Sequence, residues 1–248
     1  MRWIYYLFKC LLGGFIAMQI YFVIQIGIWA VFNPSSTAFQ RAERWRLCGI
    51  HWTCSIQSFW VPYEKISSNL KRAVLVSEDD IFFQHIGVRL EDMQKAWAKN
   101  ARKNSGKSQA PLRGGSTITQ QLAKNLFLSS EQNYFRKGQE LIVTGMLETI
   151  LSKERLYEIY LNSVEWGEGI FGIGAASEHY YGLKPEWLDR EQSAALASAL
   201  PAPKCFDKSR YCRKANIHFP TRQEFILENM DRVVLAPIKQ AKPRKTGS

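Results

Sequence analysis

The hydrophobic pattern divides the chain into two parts. Residues 10–32, CLLGGFIAMQIYFVIQIGIWAVF, carry no charge over 23 positions. About 20 apolar helical residues cross the hydrocarbon layer of a bilayer. Trp3, Tyr5 and Tyr6 precede the run and Trp29 lies near its end, as interfacial aromatics do. The run is longer than a signal-peptide core, and Asn33-Pro34 follows it without a cleavage pattern. The pattern therefore predicts a transmembrane anchor at 10–32 behind a short N-terminal segment, 1–9, whose cytoplasmic side is an expectation that the pattern does not supply. Beyond it the period becomes helical. Ile66, Leu70 and Val74 recur every four residues. Further helices are expected over 89–103, 116–128, 134–151 and 153–162. GIGAASEHYYG predicts a short helix stopped by Gly182. Asp189 with Gln192 opens a helix ending at Pro201, and Thr221 with Glu224 caps the last one. Residues 33–62 read as an aromatic-rich linker, and 106–115 as a Gly/Ser/Pro/Lys loop. No run alternates like a strand. The soluble part, 63–235, is expected to be mainly α, with a basic tail at 236–248.

Composition and charge narrow the class. Hydrophobic content of 46% excludes a disordered chain. The formal net charge is +11, which suits phosphorylated or anionic-lipid partners. Beside an anchor, nucleic acid is the weaker partner. Arg2 and Lys9 before the span are matched by Arg41, Arg44 and Arg46 after it, so charge does not set the topology. Cys48 with Cys54 and Cys205 with Cys212 lie close in sequence, without zinc-site spacing, and two local disulfides would suit an extracytoplasmic domain. Four cysteines allow three pairings, which spacing alone does not resolve.

Three stretches carry candidate chemistry. In SEDDIFFQHIG, Glu78, Asp79 and Asp80 crowd three acids beside Phe82 and Phe83. Acids at a helix C-terminus meet the negative end of the dipole, so a local rule is broken where a general base would be useful. In RKGQE, Arg136 and Lys137 precede Glu140 by four and three positions and share its helix face. As a surface ion pair, base before acid is the weaker order. As a cationic site with an embedded carboxylate it makes sense. In GGSTITQQLAKN, two glycines open a helix, an arrangement that can cradle phosphate. Neither the Walker nor the dinucleotide pattern is present.

Taken in order, EDDIFFQHIG at 78–87, GGSTITQQLAKN at 114–125, RKGQE at 136–140, KERLYEIYLN at 153–162 and EQSAALASALPAP at 191–203 resemble the peptidoglycan glycosyltransferases, glycosyltransferase family 51. The resemblance covers about 63–205. It implies a lysozyme-like helical domain with a membrane-embedded smaller lobe. It implies polymerisation of lipid II: an acceptor 4-hydroxyl attacks the anomeric carbon, the configuration inverts and polyprenyl pyrophosphate leaves. Glu78 carries over as general base and Glu140 as the second acidic residue. Lys124, Arg136 and Lys137 carry over as the pyrophosphate clamp. Ser116, Thr117 and Gln121 would bind sugar and phosphate. Asp79, Phe82 and His85 would line the site around the base. A divalent cation, Mg or Mn, at the pyrophosphate is a further expectation, with no cofactor strictly required. Expected partners are lipid II, the glycan strand, the membrane and other cell-wall synthesis or division proteins, with no nucleic acid. The resemblance implies a single-pass protein of the bacterial inner membrane, its catalytic domain periplasmic. Gln132 stands where the family often has arginine, which puts one clamp cation in doubt. SNLK, SSN and KTG echo transpeptidase motifs, but the first two overlap and the third lies in the tail, so a monofunctional form is expected. A lytic enzyme would need no pyrophosphate clamp, and a purely scaffolding role would leave the acids unused.

Overall fold

The computed structural model describes residues 2–51, 54–89, 116–129, 131, 133–206 and 219–235. The helix expected over 89–103, the loop at 106–115, Gln132, Cys212 and the basic tail fall wholly or largely outside these residues. The described fold is mainly α, as expected.

Helix α1 (Arg2–Trp29) is long and apolar enough to cross a membrane. It starts well before residue 10 and ends before 32. The segment read as a linker contains a second helix, α2 (Ala38–His51). Thr37 and Gln40 cap it reciprocally: Gln40 N donates to Thr37 Oγ1 at 3.0 Å and Thr37 N to Gln40 Oε1 at 2.9 Å. That signature was present in the sequence behind the Asn-Pro-Ser-Ser turn.

Helix α3 (Ser68–Glu78) is capped by Ser67 and buries Leu70, Ala73, Val74 and Leu75, so its apolar stripe faces the core. Helices α4 (Ile118–Phe127), α5 (Tyr134–Ile150) and α6 (Lys153–Ser163) pack together, each opened by a side-chain cap, from Thr117, Asn133 and Ser152. Tyr157 and Tyr160 of α6 are fully buried between them and α3. A hairpin follows, β1 (Glu165–Gly167) and β2 (Ile170–Phe171), antiparallel. The strand-free expectation missed it, although Glu168-Gly169 is a two-residue turn and Gly169 takes φ +72°.

Helix α7 (Gly172–Tyr181) ends at Gly182 in the left-handed conformation. Helix α8 (Arg190–Ala199) has the expected Asp189–Gln192 capping box. A short helix α9 (Pro203–Phe206) follows, and α10 (Phe219–Asn229) packs on α8 and α3. Helix α10 is described from Phe219, so Thr221 lies within it and not at its cap.

One corner ties α2 to the hairpin and α9. Arg46 Nε donates to Glu43 Oε2 at 2.7 Å, and its Nη2 to Glu168 Oε1 at 2.6 Å. Lys204 Nζ donates to Glu43 Oε2 at 2.7 Å but approaches Glu165 Oε1 only to 3.3 Å. Cys48 is bonded to Cys54, Cys205 is also in a disulfide, and Cys10 is a free thiol.

Candidate active site

Glu78 is the last residue of α3, and its carboxylate is mostly shielded but not sealed, 12% exposed. Three elements address it. Ser77 Oγ donates to its Oε1 at 2.9 Å. Gln121 Nε2, on α4, donates to its Oε2 at 2.9 Å. Arg222 Nη2, on α10, lies 3.9 Å from Oε1 and donates to Ser77 Oγ at 2.9 Å. Gln121 is itself oriented, because Tyr160 Oη donates to Gln121 Oε1 at 3.2 Å. Burial pushes the Tyr160 phenol well above its ordinary value, so it stays a donor. The amide therefore presents its nitrogen, not its oxygen, to Glu78.

Asp79 points the other way, into the interior. His85 Nε2 lies 2.9 Å from its Oδ2, and Ile118 N donates to the same oxygen at 3.2 Å. Gly87 N donates to His85 Nδ1 at 3.0 Å, so Nδ1 is the acceptor and Nε2 carries the proton toward Asp79. Thr117 Oγ1 donates to Gly87 O at 2.6 Å and accepts from Gln120 N at 3.2 Å. Phe82 is fully buried against Tyr157, with Lys153 Nζ 4.3 Å from its ring centre. Asp79, Phe82, His85 and Thr117 thus lock the Glu78 turn to the start of α4. Ser116 lies just before that start, half-buried.

The Gly114-Gly115 turn of the expected phosphate cradle lies outside the described residues. Two of the first N–H groups of α4 are already taken. Asp79 takes Ile118 N and Thr117 takes Gln120 N. An anion there would meet a carboxylate.

The cations gather elsewhere. Glu140 is buried, and Arg136 Nη1 donates to its Oε2 at 2.9 Å. Lys137 Nζ donates to its other oxygen. Burial holds the Lys124 ammonium below the ordinary lysine value; Glu140 and Glu78 pull it up, while Arg136 and Lys137 press it down. Lys124 therefore stands within electrostatic reach of both glutamates. Its Nζ also lies 5.6 Å from the Phe39 ring centre.

The structure thus brings together Glu78, Gln121, Lys124, Arg136, Lys137 and Glu140 from α3, α4 and α5. Tyr160 and Arg222 were not anticipated as site residues. Tyr160 sits in a quoted motif, KERLYEIYLN, whereas nothing near Arg222 announced a role. The arrangement offers a proton acceptor hydrogen-bonded by Ser77 and Gln121 beside a group of partly buried cations.

Comparison with known proteins gives a consistent result. The family model described as Transglycosylase matches residues 50–231. A "Biosynthetic peptidoglycan transglycosylase" of Cupriavidus metallidurans is 56% identical over 236 residues, covering 95% of this chain and 99% of that protein. Proteins of the same name from Cupriavidus pinatubonensis and Ralstonia nicotianae are each 54% identical, over 95% and 92% of this chain and 92% and 96% of theirs.

Proposed function

The chain belongs to the transglycosylase family, and from that premise we propose that it polymerises lipid II into glycan strands, inverting the anomeric carbon and releasing polyprenyl pyrophosphate. It acts as a peptidoglycan transglycosylase, and its long apolar helix α1 fits a membrane anchor in the cell envelope. The proposed location is the inner membrane, with a single span and the catalytic domain on the periplasmic side.

One observation carries the mechanism: Lys124 interacts with both glutamates, of which Glu140 is hydrogen-bonded by two cations while Glu78 takes its hydrogen bonds from Ser77 and Gln121. Glu78 receives a hydroxyl hydrogen bond and an amide hydrogen bond, which orient the carboxylate as a proton acceptor. As the acceptor 4-oxygen bonds to the anomeric carbon, its proton passes to Glu78. The bond from that carbon to the pyrophosphate oxygen breaks, and the electron pair leaves with the phosphate. Lys124, Arg136 and Lys137 meet that charge in a low-dielectric site, where fixed cations act strongly. Glu140 holds Arg136 and Lys137 in place. Ser116 and Gln121 contact sugar or phosphate. Asp79, Phe82, His85 and Thr117 act from behind, by holding the Glu78 turn. Lipid II, the glycan strand and the membrane are the proposed partners, together with other proteins of wall synthesis or division.

A divalent cation fits this donor set poorly. Among the described residues no three His, Cys, Asp or Glu side chains converge on one point. Both Glu140 oxygens are taken by cationic donors. No step above runs through a metal.

The test is polymerisation of purified lipid II by the wild type, Glu78→Gln and Glu140→Gln, with finished glycan as a control substrate. Strand formation from lipid II without cleavage of finished glycan supports synthesis. Glu78→Gln at the wild-type rate removes the proposed base.

A further inference from the structure

Helix α1 is free along its first half and docked along its second. Phe22, Ile26 and Trp29, spaced by four and three, form one buried stripe, while most of the residues before Met18 are exposed. Phe127 of α4 receives two of them, its ring centre 4.6 Å from that of Phe22 and 5.0 Å from that of Trp29. Phe127 lies one turn beyond Lys124. At the far end, Arg155 of α6 reaches the C-terminus of α1. Its Nε donates to Trp29 O at 2.8 Å, and its Nη2 to Phe32 O at 2.7 Å and Asn33 Oδ1 at 2.8 Å. A cation there satisfies carbonyls the helix leaves unpaired and meets the negative end of its dipole.

The contact with α5 is polar. Gln19 Nε2 donates to Gln139 Oε1 at 3.0 Å, and Gln139 Nε2 donates back to Gln19 Oε1 at 3.0 Å. Gln139 is buried, and the next residue along the chain is Glu140. Anchoring alone has no use for an amide in an apolar helix, since a polar group in hydrocarbon is costly unless paired. What a two-way amide pair adds is direction. It fixes the rotation and axial register of one helix against another, which interchangeable apolar contacts do less sharply.

We propose that Gln19 is a positioning residue for glycosyl transfer. Through Gln139 it holds α5 in the register that keeps Glu140, Arg136 and Lys137 facing Lys124. The inference rests on the clamp role proposed for that cluster.

The test uses the full chain in detergent micelles, with lipid II as substrate and Gln19→Leu, Gln139→Leu and the double variant. Each is melted as well as assayed. Gln19→Leu leaves Gln139 unpaired, so it should melt lower and lose kcat about tenfold, since small displacements of reacting groups cost that much or more. KM should change little, because the clamp acts most on charge that develops as the leaving group departs. The double variant separates position from stability. Replacing both partners by apolar groups restores melting, because no unpaired amide remains. Its kcat should stay low and no worse than that of either single variant. A double variant that melts and polymerises like the wild type overturns the proposal, and so does Gln19→Leu within twofold of wild-type kcat. A wild type that forms no strands removes the reading of the site itself. An active wild type with unaffected variants removes only this inference.

Discussion

Gln121 Nε2 stands 2.9 Å from Glu78 Oε2, and the direction of that bond is imposed from outside the pair. Tyr160 donates to the amide oxygen, so the nitrogen is left for the carboxylate. Tyr160→Phe deletes this instruction and little else, because the ring stays buried. Gln121 is then free to turn its oxygen toward Glu78. Transfer should fall about tenfold, with a stability loss of about 1 kcal/mol for the hydrogen bond. Paired rate and denaturation measurements check both. An unchanged rate beside a lowered stability would leave Tyr160 as a packing residue only.

Glu78→Gln and Glu140→Gln should fail differently. The first removes the proton acceptor and should cost about 10²–10⁴-fold in kcat. The second leaves Arg136 and Lys137 without their shared acceptor and should also lower stability, since breaking a buried pair leaves charge uncompensated. Thermal melts separate the two: Glu78→Gln near wild type, Glu140→Gln clearly lower.

Lys124 sets an expectation for pH. Its ammonium is held below the ordinary value of 10.5, chiefly by burial. If the clamp needs that charge, activity is present below the lowered value and lost as pH rises through it, earlier than a free lysine would allow. Lys124→Arg keeps its charge throughout and should move the alkaline limb upward, whatever it does to the rate at neutral pH. A pH–rate profile that keeps its limb in the variant assigns the titration elsewhere.

Gly87 links the site to its support. It takes φ +80°, and a Cβ there would come within 2.7 Å of Glu148 Cγ and 2.8 Å of Thr144 Cγ2. Its carbonyl accepts from Thr117 and its N–H donates to His85. Gly87→Ala should destabilise by about 1–3 kcal/mol from backbone strain alone. Denaturant titration reads the loss, and transfer should fall with it, because the Glu78 turn and α4 are joined there.

The corner at Glu165 gives stability a pH dependence of its own. Burial pushes its carboxyl from 4.5 to about 7, with Lys204 only partly offsetting. The folded state then holds a proton that the unfolded chain has released. This contribution is complete below 4.5 and declines as pH rises to about 7. Glu43 runs the opposite way. Burial raises it, but hydrogen bonds from Arg46 and Lys204 outweigh that and hold it below 4.5, so its contribution is lost on acidification. Glu165→Gln stays neutral, so relative to the wild type it should gain stability at pH 8 over pH 5, by about 3 kcal/mol at most. Melting curves at the two pH values decide the sign.

What the sequence made legible was local. Glu78 stood out because acids crowd a helix end, and the Arg136–Lys137–Glu140 fork because positions three and four apart share a face. The Asp189 cap and the Gly182 stop were readable for the same reason. What stayed hidden was the long-range part. Tyr160 and Gln121 are separated by 39 residues, and Arg222 and Ser77 by 145, so no window contains both partners. Nor does anything local reveal that Asp79 accepts from the first N–H of α4, 39 residues away. Helix α2 differs: Thr37 and Gln40 announce it locally, but its scattered aromatic and charged residues give no clear apolar stripe.

The Cys48–Cys54 bridge bears on a question that the basic residues on either side of the anchor left open. Disulfides persist in oxidising compartments and are rare in the cytosol. A bridge just beyond α1 is thus a chemical mark of sidedness. It would suit the outward-facing domain proposed above, and among the described residues Cys10, in α1, is a free thiol. On the proposed topology, reduction of that bridge would be expected only after transfer to a reducing compartment.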